Sequence, residues 1–154
     1  MKKRSVAGTT AAILVGSFAL AGSHGVVTYT GHIKPIMEKQ CLSCHGEDSS
    51  SIDEFDANKE KYKEMMLGPR MDSYDLLVDF VKGDDAGAIM RRLDNGENTQ
   101  SGKPGNMYEY LGGSEEEREL NLELFKRWVG HWTLKRAAEL TDEDQKLFNV
   151  VEQP

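Results

Sequence analysis

The stretch Cys41-Leu42-Ser43-Cys44-His45 constrains this chain more than any other. Two thiols one helical turn apart are followed at once by an imidazole. That spacing is the attachment signature for a c-type haem: each thiol can form a thioether to a vinyl group, and the imidazole is then held beneath the iron as its first axial ligand. The chain has 2 cysteines, so the motif uses every thiol available. Cys41 and Cys44 are the expected attachment points for one covalent haem c, and His45 is the expected proximal iron ligand. Other uses fit less well. A structural zinc site wants four ligands, usually as two Cys/His pairs, and His24, His32 and His131 are scattered. A thioredoxin-like pair should follow a strand in a βαβ unit, whereas the flanking pattern is helical. A plain disulfide suits an exported protein but gives His45 no role.

The first twenty or so residues read as a leader. Lys2, Lys3 and Arg4 form a positive start, Val6 to Leu20 is small and apolar, and Ala19-Leu20-Ala21 is an A-x-A cleavage site. The alternative is a retained anchor, but Gly8, Thr9, Thr10, Gly16 and Ser17 dilute the run. It also falls short of the roughly eighteen apolar residues that a spanning helix wants. Cleavage after Ala21 leaves 133 of the 154 residues, enough for one domain with one core. Nothing later in the chain is apolar enough to span a membrane. The expected location is therefore the periplasm or another exported compartment.

Removing the three leader cations leaves 16 basic against 26 acidic residues, a net formal charge of −10. An acidic body argues against nucleic acid and anionic lipid as partners, and it suits a redox partner with a basic docking patch. Charge that serves only solubility gives the same composition.

Apolar periodicity and capping residues predict helices and no strong strand. Ile33, Ile36 and Met37 make a stripe over 32–40, with Pro35 in the first turn, where its missing N–H costs nothing. A mixed helical pattern covers 53–67, carries Phe55, Tyr62, Met65 and Met66, and stops at Gly68-Pro69. Asp72 or Ser73 caps a helix carrying Leu76, Leu77, Phe80 and Val81. A short helix with Ile89, Met90 and Leu93 closes at Asp94-Asn95-Gly96. From Asn95 to Gly113 glycines break the pattern, yet Met107, Tyr108 and Tyr110 want burial. That combination predicts a long ordered loop with a function. Ser114 to Glu117 is a capping box that opens the clearest helix, with Leu120, Leu124, Phe125, Trp128 and Val129 as its apolar face. A helical turn over 135–140 and a last short helix from Thr141 follow, the latter burying Leu147, Phe148 and Val150.

By these features the chain resembles a class I c-type cytochrome. The shared features are an exported small domain, one C-x-x-C-H near the mature N-terminus, a methionine on a downstream loop, and a closing amphipathic helix with a tryptophan. More narrowly, Ile33-Lys34-Pro35-Ile36-Met37 leading into Cys41-Leu42-Ser43-Cys44-His45-Gly46 is similar to the entry of a monohaem subgroup. Leu124 to Gly130 is similar to that subgroup's closing W-(I/V)-x-G. The resemblance implies an all-α fold wrapped around one covalent haem, crossing first and last helices, His/Met ligation and single-electron transfer. It covers most of 26–132, so that after the leader, 1–21, the chain is expected to hold a cytochrome c domain, 22–132, and a C-terminal helical extension of that domain, 133–154, which the resemblance does not reach.

Under the His/Met premise the methionine must come from this chain. Met37 lies too close to the haem motif. Met65, Met66 and Met90 fall on apolar helical faces, where core packing is the commoner use. Met71, after Gly68-Pro69, is the runner-up, and a histidine remains open. Met107 is the first choice. It sits in the Gly-rich loop, 62 residues after His45 and just before the closing helix, and glycines let backbone pass close to a macrocycle. Tyr108 and Tyr110 can donate to a propionate or to the ligand sulfur as outer-shell groups; the alternative is that they pack and point at water. Arg91 or Arg92 can pair with a propionate, though a solvated face is the plainer reading, and Trp128 reads as core.

No catalytic dyad is evident, so the expected function is that of an electron carrier rather than an enzyme. Two rivals remain: an electron-accepting subunit bound permanently to a periplasmic oxidoreductase, with 133–154 as an interface element, and a haem-based sensor with an open sixth position.

Overall fold

The computed structural model describes residues 25–153. The expected leader and His24 lie outside these residues. The described residues are helical, with no strand among them, and none of the helices is long and apolar enough to cross a membrane.

The chain enters through a continuous helical run over 29–45. It alternates π-turns (Tyr29–Ile33 and Met37–Cys41) with α-turns (Lys34–Ile36 and Leu42–His45). The run starts earlier than the apolar stripe suggests because the Thr28 side chain accepts from the Gly31 N–H and caps it. Pro35 therefore sits inside the run rather than in its first turn. Proline removes one backbone donor, and widened turns on either side are a known way for a helix to absorb such a fault. Tyr29, Ile33, Ile36 and Met37 are buried.

The segment over 53–67 is two short helices, Ile52–Ala57 and Lys59–Glu64, because Asn58 leaves helical geometry at φ −131°, ψ 35°. Met65 and Met66 are 54 % and 78 % exposed, so they are not core residues as their spacing suggests. Ser73 caps Tyr74–Lys82 through the Leu76 N–H. Ala88–Leu93 follows, with Ile89, Met90 and Leu93 buried. The predicted loop is ordered and ends in a 3-10 turn, Tyr108–Leu111.

The closing helix, Glu115–Val129, is the longest. Ser114 accepts from the Glu117 N–H as a cap should. Glu117 does not complete the box: its carboxylate takes the Gly113 N–H at 2.8 Å, and Lys39 Nζ and Gln40 Nε2 from the entry run at 2.5 and 3.2 Å. Its buried face is Leu122, Phe125, Trp128 and Val129, while Leu120 is exposed. Leu120 and Leu122 stand about 200° apart around a helix, so only one of them can face the core. Leu122 is the one turned inward, on a helix that packs against Tyr29–Ile33 and Tyr108–Leu111. Tyr29 meets Trp128 with ring centroids 6.2 Å apart.

The tail folds back on this pair. A 3-10 turn, Ala137–Glu139, and a helix, Asp142–Leu147, lead to an extended end. Phe148 and Val150 are buried there, but Leu147 is exposed. The Asn149 and Val150 N–H groups donate to the Val129 and Trp128 carbonyls, both at 2.8 Å, and Trp128 Nε1 donates to Val151 O at 3.0 Å. Those apolar side chains are thus used within the chain itself.

Candidate haem site

Cys41 and Cys44 sit one turn apart at the end of the entry run, half-buried and not joined in a disulfide. Burial, with the neighbouring Cys44 thiol, pushes the Cys41 thiol up to about 11. A dithiol redox centre needs the opposite shift. Among the described residues no group of three or more His, Cys, Asp or Glu side chains could hold a metal ion by itself.

His45 is oriented by the segment that follows the second short helix. Its Nδ1 lies 2.7 Å from the Pro69 carbonyl. A carbonyl only accepts, so Nδ1 carries the proton and Nε2 presents its lone pair. This is the second-contact arrangement that fixes the tautomer of a ligating imidazole. Burial lowers the His45 pKa, opposed by the bond to Pro69, and a neutral ring is the ligating form. The backbone around it is tied down: Gly68 N–H donates to Cys44 O at 2.8 Å, Met71 N–H to His45 O at 2.9 Å, and Ser49 Oγ to Cys44 O at 3.0 Å. Gly68 lies directly against the imidazole. A Cβ built there would stand 2.0 Å from His45 Cε1, so only glycine fits. The ring is thus held in one tautomer and hemmed in by Gly68, with Cys44 next to it and Cys41 a turn earlier, and the residues present fit a covalently attached haem.

The loop that carries Met107 is closed at its neck. Gly105 N–H donates to Asp94 O at 2.8 Å, and Met107 N–H to Arg92 O at 3.0 Å. A Cβ at Gly105 would lie 2.3 Å from Arg92 O, which explains glycine at the neck. Met107 is half-buried and packs against the core. The 3-10 turn after it contacts the Met37–Cys41 turn, Ala88–Leu93 and the closing helix. Sequence and structure together thus bring the Met107 turn next to the segment that delivers Cys41.

The other candidates are placed as follows. Tyr108 is buried, and its hydroxyl donates to Glu115 Oε1 at 2.5 Å. Burial, with that bond to a carboxylate, pushes it up to about 12. Tyr110 is 58 % exposed. Arg91 donates to the Lys135 carbonyl and Arg92 to Asn106, while Trp128 is core. Met71 is half-buried on the strip tied to His45, and Met90 is fully buried.

Reading the sequence misses Asp94. It is 0 % exposed and accepts four hydrogen bonds: Gly96 N–H at 2.9 Å and Asn98 N–H at 3.2 Å on Oδ1, and Asn98 Nδ2 at 2.8 Å and Trp132 Nε1 at 2.9 Å on Oδ2. Burial alone raises its pKa, but these bonds outweigh it and hold the carboxyl below its ordinary value. The sequence shows Asp94 only as the start of a turn.

A helical chain that pins a C-x-x-C-H histidine through Nδ1 and wraps loops around it defines a monohaem c-type cytochrome. The structure is similar to the solved monoheme cytochrome PccH from Geobacter sulfurreducens, at 45 % identity and a TM-score of 0.78, over 82 % of this chain and 99 % of that one. Residues 28–149 match the model of the PccH cytochrome c family, and the chain belongs to that family. Membership implies one covalently bound haem c and a role in electron transfer. No match is found among curated proteins.

Proposed function

We propose that this protein is an exported, periplasmic single-electron carrier whose one haem c is held by Cys41 and Cys44 and ligated by His45 and Met107. The haem, when bound, supplies the one-electron chemistry. The chain's part is to orient, insulate and tune. Pro69 O fixes the His45 tautomer, Gly68 leaves room for the ring and packs against it, and the Met107 loop brings a soft thioether, which favours the reduced metal.

The observation that carries the Met107 assignment is which strip each methionine stands on. A sixth ligand must approach from the side opposite His45. Met71 is bonded through its own N–H to the His45 carbonyl, so it starts on the histidine's side. Met37 and Met90 are core, and Met65 and Met66 are exposed. Two histidines are otherwise engaged: His32 Nδ1 accepts from the Thr28 N–H at 3.1 Å, and His131 Nε2 faces Asp144 at 3.1 Å. Met107 is left, half-buried on a closed loop whose end packs on the haem-motif segment. The leader over 1–21 supports export, and a net formal charge of −10 without it suits a partner with a basic patch.

The test is spectroscopic. Wild-type ferric protein should show the weak far-red band of a thioether ligand. Met107→Ala should lose it, become high-spin or take up water, bind cyanide readily, and fall in potential. Met71→Ala should do none of these. If Met71→Ala opens the iron and Met107→Ala does not, the assignment is wrong. If neither does, histidine ligation or an open site replaces it.

A further inference from the structure

Met107 stands at the end of a loop, and a loop ligand is only as firm as the loop. The segment between Asp94 and Met107 holds Gly96, Gly102 and Gly105 and no helix. Left to itself it would sample many conformations, and each would compete with the one that presents the thioether. Something must therefore hold it.

The holding group is at its root. Both oxygens of the Asp94 carboxylate and its backbone carbonyl point into the loop: Oδ1 takes two backbone N–H groups, Oδ2 takes the Asn98 amide and the Trp132 indole, and the carbonyl takes Gly105 N–H. A single residue thus ties the loop's first turn, its neck and the chain beyond the closing helix. Among the described residues Asp94 makes no salt bridge, although it is fully buried. A buried carboxylate without a counter-ion is costly unless hydrogen bonds satisfy it. Here four neutral donors do so, and bonds to an ionised acceptor are the stronger kind. A neutral amide in its place turns an N–H₂ toward N–H groups and strands at least one of the two pairs.

We infer that Asp94 is the positioning residue for the sixth iron ligand: its carboxylate cinches the 95–106 loop and so sets how often Met107 leaves the metal. This rests on the reading of Met107 as the ligand. An added base such as imidazole binds only to the state in which the thioether is off. Its apparent affinity therefore scales with the open fraction, and it measures loop opening without unfolding the protein.

The experiment uses ferric holoprotein titrated with imidazole, beside far-red absorbance and helix unfolding by circular dichroism. Asp94→Asn should bind imidazole about tenfold more tightly than wild type, the change that goes with losing one charge-assisted pair. Its far-red band should fade at a lower temperature than its helices melt. Asn98→Ala and Trp132→Phe each remove one donor. They should tighten imidazole severalfold, and they answer the question should Asp94→Asn fail to fold. Tyr74→Phe is the control. It removes the 2.7 Å bond to Val150 O in the tail and should lower the melting point without changing imidazole affinity.

Unchanged imidazole affinity in the Asp94, Asn98 and Trp132 variants overturns the inference. So does an equal rise in Tyr74→Phe, which would mean that opening follows global stability alone. Failure of the underlying ligand assignment looks different: imidazole affinity in Met107→Ala would then equal that of wild type.

Discussion

Replacing Gly68 with alanine tests the proximal side most directly. The new Cβ would lie 2.0 Å from His45 Cε1, 2.5 Å from Nδ1 and 2.8 Å from Nε2. Ordinary contact needs more than about 3.4 Å, so ring or backbone must yield by roughly 1.5 Å. Neither is free to do so. The Nδ1–Pro69 O bond at 2.7 Å has about 0.8 Å of slack before it ceases to be a bond. Gly68 itself is held to Cys44 O at 2.8 Å. Overpacking of this kind costs about 1–3 kcal/mol, and the lost hydrogen bond adds about 1 kcal/mol. The melting temperature of Gly68→Ala should therefore fall by roughly 10 °C. Loss of the bond to Pro69 also lowers the basicity of the imidazole and makes it a poorer ligand for the oxidised metal. The potential should rise, by at most roughly 40 mV if a hydrogen bond of about 1 kcal/mol acts on the ferric state alone. Gly113→Ala is the control, since its Cβ would meet only Glu117 Oε2, at 3.6 Å. Thermal unfolding and a redox titration of both variants decide the matter. A Gly68→Ala protein matching the control in both would refute the claim that this glycine and Pro69 pin the ring.

Acid–acetone extraction should leave the haem on the protein, because both thiols precede His45 at thioether spacing; haem found in the organic phase would contradict attachment. Electron-transfer rates to a basic partner protein should fall as salt rises toward physiological strength, and a flat dependence would mean that the acidic surface serves solubility alone. Asp144 holds the tail by accepting from Lys135 Nζ at 2.7 Å, Thr141 N–H and Oγ1 at 2.9 Å each, and facing His131. The Lys135 bond and the Thr141 N–H hold its pKa well below the carboxylate range. A lowered folded value stabilises above the unfolded pKa, near 4, and that contribution is lost as pH falls through the folded value. Asp144→Asn should therefore lower the unfolding midpoint at pH 7, and its deficit should shrink in steadily more acid buffer; a deficit independent of pH would refute the ionic account.

Local features made much of this protein legible. The haem motif needs only five consecutive residues, the Ser114 cap only its neighbours, and the stop at Gly68-Pro69 only backbone chemistry. Helical class, the ordered loop and the candidates Cys41, Cys44 and His45 follow from that level, while the choice of Met107 also needed the His/Met pairing that the family resemblance implies. What periodicity left undecided was which face of each helix turns inward. The leucines at 120, 122 and 124 spread over more than one face, and packing buried Leu122, left Leu124 partly covered and left Leu120 exposed. Met65 and Met66 satisfy a helical stripe, yet nothing packs over them and they stand exposed. The polar contacts that shape the site were least legible of all. Pro69 reaches His45 across 24 residues, Trp132 reaches Asp94 across 38, and Gln40 meets Glu117 across 77. Such bonds carry no periodic or compositional signature, because a donor and an acceptor far apart in the chain become partners only when packing sets them within 3 Å or so of each other. The sequence alone thus determined what chemistry the chain can hold, while tertiary packing decided which distant groups surround His45 and the Met107 loop.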